Sequence, residues 1–178
     1  TIYPKKKPNT SEPNKEHRTY PYLLRNLKIT HKNYVWATDI TYIPMPKGHM
    51  FLCAIIDLYT RYVLSWNISN TMDTALCVEV LKNALQHHDK PKIFNTDQGS
   101  QFTSPDFTDL LESQNIMVSM DSKGRALDNI FIERLWRSVK YECIYLNVFE
   151  NGAQLYQGLD QYFNFYNCKR KHQSLNNQ

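Results

Sequence analysis

Three acidic residues, Asp39, Asp97 and Glu133, have the types and positions that could together hold divalent cations. Asp39 lies in a run of β-branched and aromatic residues that predicts a strand, where an ionised carboxylate is costly unless a metal ion or a basic partner compensates it. Asp97 follows a short apolar run, at the carboxyl end of a second predicted strand, where α/β proteins place their functional sites. A simple turn beside Gly99 would equally account for Asp97, so each aspartate taken alone is ambiguous.

Glu133 lies on a predicted helix of about residues 128–146. Arg137 and Lys140 follow it by four and seven positions, so the three side chains share one face of that helix. A solvated Glu–Arg pair is the alternative interpretation of this face. The adjacent buried stripe is formed by three apolar residues: Ile132, Leu135 and Val139. Trp136, one turn beyond Glu133, is assigned to core packing, with stacking on a nucleic-acid base as the alternative.

Taken together, two aspartates at strand positions and a glutamate on a late helix can converge on one point. Hard cations such as Mg²⁺ prefer oxygen ligands and keep waters for a substrate. Two such ions can activate an attacking hydroxyl and stabilise the leaving oxygen of a phosphodiester. No Ser–His or Cys–His pairing competes for a catalytic role. The four cysteines are far apart and include no C-x-x-C pair, so neither a zinc site nor a disulfide framework is expected.

The elements that must position these residues are predicted from hydrophobic periodicity and turn signals. Three strands joined by short turns come first, followed by alternating helices and short strands. The order β-β-β-α-β-α-β-α-α predicts an α/β fold with a mixed five-stranded sheet and helices on both faces. The predicted strands cover about residues 35–43, 50–58, 62–68, 92–95 and 116–118. The predicted helices cover about 74–87, from 105 onward, 128–146 and 152–167.

Charge is unevenly distributed along the 178 residues. Residues 1–35 contain eight Lys and Arg against two Glu, the middle of the chain is acidic, and residues 169–171 are all basic. Basic arms beside an acidic body suit a nuclease, although solvated tails would look the same. We predict a basic arm or linker over 1–33 and a catalytic core with a basic C-terminal helix and tail over 34–178. No apolar run is long enough to cross a bilayer and no signal peptide is visible, so a soluble intracellular protein is expected.

Three blocks of sequence carry a resemblance to a known family. They are Trp-Ala-Thr-Asp-Ile-Thr-Tyr at 36–42, Asp-Gln-Gly-Ser-Gln-Phe at 97–102, and the segment 119–133 that ends on Glu133. Asp97 and Glu133 are separated by 35 residues, and Lys140 stands seven positions past the glutamate. With this ordered set the chain resembles the integrase-core transposases of bacterial insertion sequences, in the group whose transposase is made by frameshifting between two reading frames. The tail over 162–175 is similar to the C-terminal block of that family.

The resemblance implies a ribonuclease H-like fold and a DDE-type enzyme. It implies two Mg²⁺ or Mn²⁺ ions at Asp39, Asp97 and Glu133, strand cleavage by water, and strand transfer by a 3′-hydroxyl. It also implies double-stranded DNA as partner, both element ends and target, and a homo-oligomer assembled on that DNA. An upstream helix-turn-helix region would help recognise the ends, and the expected location is the bacterial cytoplasm at the nucleoid.

Several further residues are expected to support this chemistry. Lys140 would contact DNA near the element end, and Gln98 and Asn129 would support the metal ligands. The other expected DNA contacts are basic residues: Arg137, Lys123, Arg125, Lys169, Arg170 and Lys171. Asp57 could form an ion pair with Arg61 or support the site indirectly, and the structural role is the favoured interpretation.

Two neighbouring positions depart from the family pattern: Asn95-Thr96 stands where the family usually has His-Ser before the second aspartate. This departure affects local hydrogen bonding and leaves the carboxylate in place. Two alternative functions share the fold. The chain could be a structure-selective nuclease that cuts without joining, or an inactive module that binds DNA or supports assembly. A divalent-metal titration separates the inactive module from the others, and a strand-transfer assay separates the remaining two.

Overall fold

A mixed sheet of five strands in the order β3-β2-β1-β4-β5 forms the centre of the computed structural model, which describes residues 18–121 and 130–171. The strands are β1 (Val35–Met45), β2 (Gly48–Asp57), β3 (Val63–Ser69), β4 (Ile93–Thr96) and β5 (Met117–Met120). The helices are α1 (Thr74–His87), α2 (Pro105–Ser113), α3 (Ile130–Val139) and α4 (Gly152–Cys168). The predicted element order is confirmed, and the strand ends differ from the prediction by one or two residues in most cases.

Strand β1 is the central strand, and its pairing changes along its length. It runs antiparallel to β2 over its whole length, from Trp36 opposite Asp57 to Met45 opposite Gly48. On its other side it runs parallel to β4, but only through Val35–Ala37. From Thr38 onward, no strand among the described residues pairs with the β4 side of β1. We call this stretch the open edge of β1, and Asp39 lies near its start.

The two faces of the sheet carry separate hydrophobic cores because successive side chains of a strand point to opposite faces. On one face Val35, Ala37 and Ile43 of β1 pack with apolar residues of α3 and α4. On the other face Trp36 packs with residues of α1 and α2. Helices thus cover both faces, as the sequence predicts, and Asp39 shares its face with α3 by strand alternation.

Helix starts follow from local capping chemistry. The carboxylate of Asp73 accepts a hydrogen bond from the backbone of Leu76 at 3.1 Å and caps α1. Asn151 caps α4 in the same way through Gln154 N at 3.0 Å. Ser104 stands at the predicted position before α2, but its hydroxyl donates backward to Gln101 O at 2.9 Å and makes no capping bond.

The long helix predicted over 128–146 is not one regular α-helix. Its described part is α3, followed by a π-helical turn over Lys140–Ile144 that is closed by the bond from Tyr145 N to Lys140 O at 2.8 Å. The wider turn brings Cys143 and Ile144 into the same core as Val139. Hydrophobic periodicity assumes 3.6 residues per turn and does not anticipate the extra residue.

The predicted N-terminal arm lies partly within the described residues, and that part packs on the core. Tyr20 donates its hydroxyl to Glu112 of α2 at 2.7 Å, and Leu23 N donates to Ser119 Oγ of β5 at 3.0 Å. Leu24 and Leu27 pack against the core beneath α3 and α4. The division of the chain at residue 33 stays a prediction.

Asp57 organises the turn between β2 and β3. Its carboxylate accepts hydrogen bonds from the backbones of Asn33, Tyr59 and Thr60 at 2.6–2.9 Å. The predicted structural role is thus supported, although the ion pair with Arg61 is not formed. The Arg61 guanidinium instead lies 3.5 Å from the ring centroid of Phe131 in α3, an arrangement of the cation–π kind.

Gly158 of α4 offers a direct test of how closely this helix packs against Phe149. A Cβ at this position would lie 2.5 Å from Cε1 of Phe149, closer than real contacts allow. Gly158→Ala is therefore expected to lower the free energy of unfolding by about 1–3 kcal/mol, measured by denaturant titration. Gly152→Ala in the same helix is the matched control, since its Cβ would meet only Met50 Cε at 3.5 Å. Equal stability of the two variants would contradict the packing.

Among the described residues, no helix combines the length and the apolar character needed to cross a membrane.

Candidate active site

Asp39 occupies a half-buried position on β1, opposite Ala54 of β2. Trp136 of α3 donates its indole N–H to Asp39 Oδ2 at 2.9 Å. Burial raises the pKa of Asp39 to about 6, against the lowering effect of hydrogen bonds from Trp136 and from the backbone of Ile40. The charges of Asp97 and Glu133 are smaller causes of this raised pKa. The carboxylate is therefore held in place, yet its negative charge is only partly compensated.

Asp97 stands directly after β4, and its side chain is exposed. Its Oδ1 accepts a hydrogen bond from Gly99 N at 2.8 Å, which closes a short turn. The carbonyl of Gly99 then accepts bonds from the backbones of Phe102 and Thr103, both at 3.0 Å. Gln98, the residue predicted to support the metal ligands, is exposed on this turn. The turn fixes Asp97 at the carboxyl end of β4, where the sequence predicts it.

Glu133 is exposed on the first turn of α3, whose position on the sheet is fixed by the buried residues Ile132 and Leu135. Because Asp97 and Glu133 both act on the pKa of Asp39, the three carboxylates are electrostatic neighbours. Within residues 18–121 and 130–171, no three His, Cys, Asp or Glu side chains are close enough to hold a metal ion. The fold therefore brings the carboxylates near each other without a coordination geometry, and their role as ligands stays a prediction.

Trp136 is the residue at this site whose role the sequence interpretation missed. It was assigned to the core, and it is indeed only 6% exposed, but its N–H is directed at Asp39. A buried indole N–H usually has a hydrogen-bond partner. Trp136 also stands three positions after Glu133, which places the two on neighbouring parts of the helix surface. The need of a buried indole N–H for a partner and the spacing from Glu133 were the features of the sequence that could have indicated a contact with the site.

Asn95 and Thr96, the departure from the family pattern, connect the ends of β4 and β5. Asn95 is fully buried and donates from Nδ2 to Asp121 Oδ1 at 3.0 Å. Asp121 N in turn donates to Thr96 O at 2.9 Å. Asn95 Oδ1 has no hydrogen-bond partner within the described part of the chain. Through these two hydrogen bonds, Asn95 and Thr96 connect the end of β4 to the end of β5 just before Asp97.

The predicted DNA-binding residues divide into three groups. Lys140 and Arg137 lie beside the site on α3 and its π turn, with Lys140 Nζ 5.4 Å from the ring centroid of Tyr42. Lys169 and Lys171 are exposed at the end of α4. Arg170 binds Glu142, with 2.7 Å between Nη2 and Oε1. The other two predicted DNA-binding residues, Lys123 and Arg125, lie outside the described part of the chain, and so does Asn129, which is predicted to support the metal ligands.

The five-stranded sheet with helices on both faces defines the fold, because solved integrase cores match it. The catalytic core of HTLV-2 integrase in complex with magnesium, in its dimeric form, matches with a TM-score of 0.60 and 19% identity over 79% of this chain and 90% of that chain. The catalytic core of BIV integrase matches with a TM-score of 0.59 and 14% identity over 79% and 87%. The fold is the ribonuclease H-like fold of retroviral integrase cores, as the sequence predicts.

The sequence comparisons identify the family. An integrase core domain model matches residues 29–126, and a second integrase core domain model matches residues 114–178. The chain belongs to the integrase core domain family. Similar proteins include the transposase for insertion sequence element IS904 of Lactococcus lactis, 35% identical over 87% of this chain and 63% of that protein. Transposase InsF for IS3A of Escherichia coli is 37% identical over 64% of this chain and 40% of that protein.

A third relative is the putative transposase InsK for IS150 of Escherichia coli, 31% identical over 86% of this chain and 55% of that protein. The resemblance to insertion-sequence transposases that the sequence motifs indicate is thus confirmed. The chain spans between 40% and 63% of the length of these three relatives.

Proposed function

We propose that this chain is the catalytic domain of a DNA transposase that cleaves and joins strands at insertion-sequence ends. In this proposal Asp39, Asp97 and Glu133 hold the divalent metal ions. The observation that carries the proposal is that the charges of Asp97 and Glu133 both raise the pKa of the half-buried carboxyl of Asp39, within an integrase core fold. A partly buried carboxylate beside two others is unfavourable unless a cation compensates it.

The donor set fits Mg²⁺ or Mn²⁺ in chemical terms, since all three candidate ligands are carboxylates. Two such ions, when bound, would supply Lewis acidity to the attacking and leaving oxygens of a phosphodiester. Asp39 contributes a fixed ligand, because Trp136 and the strand hold it. Asp97 and Glu133 have exposed side chains, which can reorient toward a cation.

Neither of the two proposed steps, hydrolysis and transesterification, requires an external energy source. In cleavage, a water oxygen attacks the phosphorus at the element end, the bond to the 3′-oxygen breaks, and a 3′-hydroxyl is released. In strand transfer, that 3′-hydroxyl attacks a target phosphodiester, so one P–O bond forms as another breaks. The 3′-hydroxyl is the nucleophile of the second step, and no covalent bond to the protein is required.

Basic residues near the carboxylates would hold the DNA. Lys140 and Arg137 lie on the same helix as Glu133, and Lys169 and Lys171 extend the basic surface at the end of α4. Arg170 would act indirectly, because its ion pair with Glu142 anchors the tail that carries the two lysines. We further propose that the chain works as a homo-oligomer on double-stranded DNA at the nucleoid, together with a helix-turn-helix region.

Lys140→Ala is expected to weaken binding of a duplex element end several-fold and to reduce the dependence of log K on log salt by about one unit, since one phosphate contact is lost. Fluorescence anisotropy at several salt concentrations measures both quantities. Lys82→Ala, on the distant helix α1, is the control. Unchanged binding by Lys140→Ala would show that Lys140 makes no contact with the DNA end.

Gly99→Ala is expected to displace the carboxylate of Asp97. A Cβ at position 99 would lie 2.9 Å from Asp97 Oδ1 and 3.3 Å from Gln101 Oε1. Misplacing a ligand-bearing turn costs about 10- to 100-fold in metal affinity or activity. Calorimetric titration with Mn²⁺ measures the affinity, with thermal unfolding as the check on folding. Wild-type affinity in a folded Gly99→Ala protein would argue against Asp97 as a ligand.

The proposed function is tested with a labelled DNA end incubated with Mg²⁺, with Mn²⁺ and with a chelator. Wild type should give nicked and joined products only with metal, and Glu133→Gln, which keeps size and removes charge, should give neither. Products in both proteins would reveal a contaminant or another site. Nicking without joining would favour the structure-selective nuclease. A protein that binds DNA but no metal would be the inactive module.

A further inference from the structure

Arg61, in the turn between β2 and β3, has a backbone conformation that arginine rarely adopts. Its φ angle is 65°, in the left-handed region that favours glycine. The turn fixes this conformation, because Arg61 N donates to Asp57 O and Asp57 N donates to Tyr62 O, both at 2.9 Å. Strained residues that their surroundings fix in this way cluster at functional positions. Since glycine would suit the turn better, the reason for an arginine must lie in its side chain.

The Arg61 side chain is directed at the first turn of α3. Its guanidinium carbon lies 3.5 Å from the ring centroid of Phe131, the second residue of that helix. Burial is the largest influence on the pKa of Arg61 and lowers it, because the guanidinium is held partly away from water. Arg61 Nη1 donates to Leu58 O, and Nε has no hydrogen-bond partner within residues 18–121 and 130–171. On α3 the guanidinium is thus placed over the ring of Phe131.

Phe131 connects Arg61 to a candidate metal ligand, because Glu133 lies two residues further along the chain. α3 begins at Ile130, so Phe131 and Glu133 both belong to its first turn. The first N–H groups of a helix have no acceptor inside the helix, so the position of a first turn depends on its side-chain contacts. The buried side chain of Ile132 and the contact between Arg61 and Phe131 supply such contacts here.

We propose that Arg61 is a positioning residue, which holds the first turn of α3, and with it Glu133, beside Asp39 through its contact with Phe131. The inference rests on the proposed function, since it gives Arg61 a part in forming the metal site without contact with metal or DNA. The turn provides a rigid base for Arg61, because it joins two paired strands of the sheet, β2 and β3.

Arg61→Gly separates this role from a role in the turn alone. Glycine suits the φ angle of position 61, so the variant keeps the turn and removes the guanidinium. In calorimetric titration of the folded protein with Mn²⁺, Arg61→Gly is expected to bind about 10- to 100-fold more weakly than wild type, as is usual when a group that orients a metal ligand is removed. Arg61→Lys, which keeps the charge and loses the planar group, should fall between the two.

Two further variants test whether Arg61 acts through the Phe131 ring. Phe131→Leu, which stays apolar and removes the ring, should weaken Mn²⁺ binding as Arg61→Gly does, and the double variant should lose no more than either single variant. Lys92→Ala is the matched control. Lys92 Nζ lies 5.5 Å from the ring centroid of Tyr34, in a pair of the same kind next to β4, on the other side of β1. This variant should bind Mn²⁺ as wild type does.

Hydrogen exchange of the metal-free protein gives a second readout that does not depend on the proposed function. In a regular α-helix, the amides of Arg134, Leu135 and Trp136 bond to carbonyls of the first turn of α3. They should exchange about 2- to 30-fold faster in Arg61→Gly than in wild type, the factor that corresponds to loss of one cation–π contact. The amides of α1 should keep their wild-type rates.

The two readouts together decide the role of Arg61. Wild-type exchange rates in α3 of Arg61→Gly, or an equal acceleration in α1, would overturn the proposal. Faster exchange in α3 with unchanged Mn²⁺ affinity would also overturn it, because Arg61 would then hold the helix without positioning a ligand. If wild type itself binds no Mn²⁺, the proposed function fails, and the exchange rates alone decide whether Arg61 holds the first turn of α3.

Discussion

Asp39→Asn is expected to reduce metal-dependent DNA cleavage and joining by about 10³-fold or more, because loss of one metal ligand removes several kcal/mol of charge stabilisation in the transition state. The same change is expected to stabilise the folded protein at neutral pH. Burial raises the pKa of Asp39 from 3.8 to about 6, so its ionised form is disfavoured in the folded state. Each pKa unit corresponds to about 1.4 kcal/mol, which sets an upper limit of about 3 kcal/mol on the gain.

The sign of the pH dependence follows from proton binding. Between the unfolded pKa of 3.8 and the folded pKa of about 6, the folded protein holds more protons at Asp39 than the unfolded chain. The contribution of Asp39 to stability therefore falls as pH rises through this window, and it stays lowered above it. Asp39→Asn should exceed wild type in melting temperature by several degrees at pH 7.5, and the two should converge near pH 4.

Glu133→Gln is the matched control for this prediction, since Glu133 is exposed. It should lose activity to a similar extent without a gain in stability. Metal should raise the melting temperature of wild type and have little effect on either variant. If Asp39→Asn melts below wild type at pH 7.5, the ionised carboxylate of Asp39 does not lower the free energy of unfolding in the way that its raised pKa implies.

Trp136→Phe is expected to reduce activity and metal affinity by about 10- to 100-fold, although Trp136 is not itself a candidate ligand. The substitution removes the N–H that holds Asp39 Oδ2, and residues that orient a metal ligand typically have effects of this size. Loss of the bond should also raise the pKa of Asp39 beyond about 6, because that bond lowers it. The acidic limb of the pH–rate profile should shift upward, and calorimetry with Mn²⁺ should show the weaker affinity.

The control for Trp136→Phe is Trp66→Phe. Trp66 packs against Phe163 in the core on the same face of the sheet, 5.1 Å between ring centroids, and has no contact with the carboxylates. Both substitutions should cost about 1–3 kcal/mol of stability through lost packing. Only Trp136→Phe should change metal affinity and the pH profile. Equal effects of the two on activity would reduce Trp136 to a packing residue.

Local sequence signals predicted most of the fold. The β-branched run around Asp39 predicted the first strand, and the stripe of Ile132, Leu135 and Val139 predicted the buried face of α3. These features depend on residues within one or two turns of each other. The integrase-core resemblance then implied the ribonuclease H-like fold.

The remaining features depend on contacts between distant parts of the chain. The bond between Trp136 and Asp39 joins residues 97 positions apart, and the pairing of Arg170 with Glu142 spans 28 positions. No periodicity specifies such partners. The π turn was also missed, because one extra residue in a helical turn leaves the apolar pattern nearly unchanged.

The open edge of β1 has a consequence for how copies of the protein behave at high concentration. A strand with unpaired backbone groups can recruit strands from other molecules, which is a route to aggregation. Pro44, which lacks a backbone N–H, and the charge of Asp39 both lie on this stretch, and residues of these kinds discourage such pairing. The carboxylate of Asp39, proposed to hold metal, would thus also discourage strands of other molecules from pairing with this edge. Neutral variants such as Asp39→Asn should therefore be less soluble than wild type, even where their melting temperatures are higher.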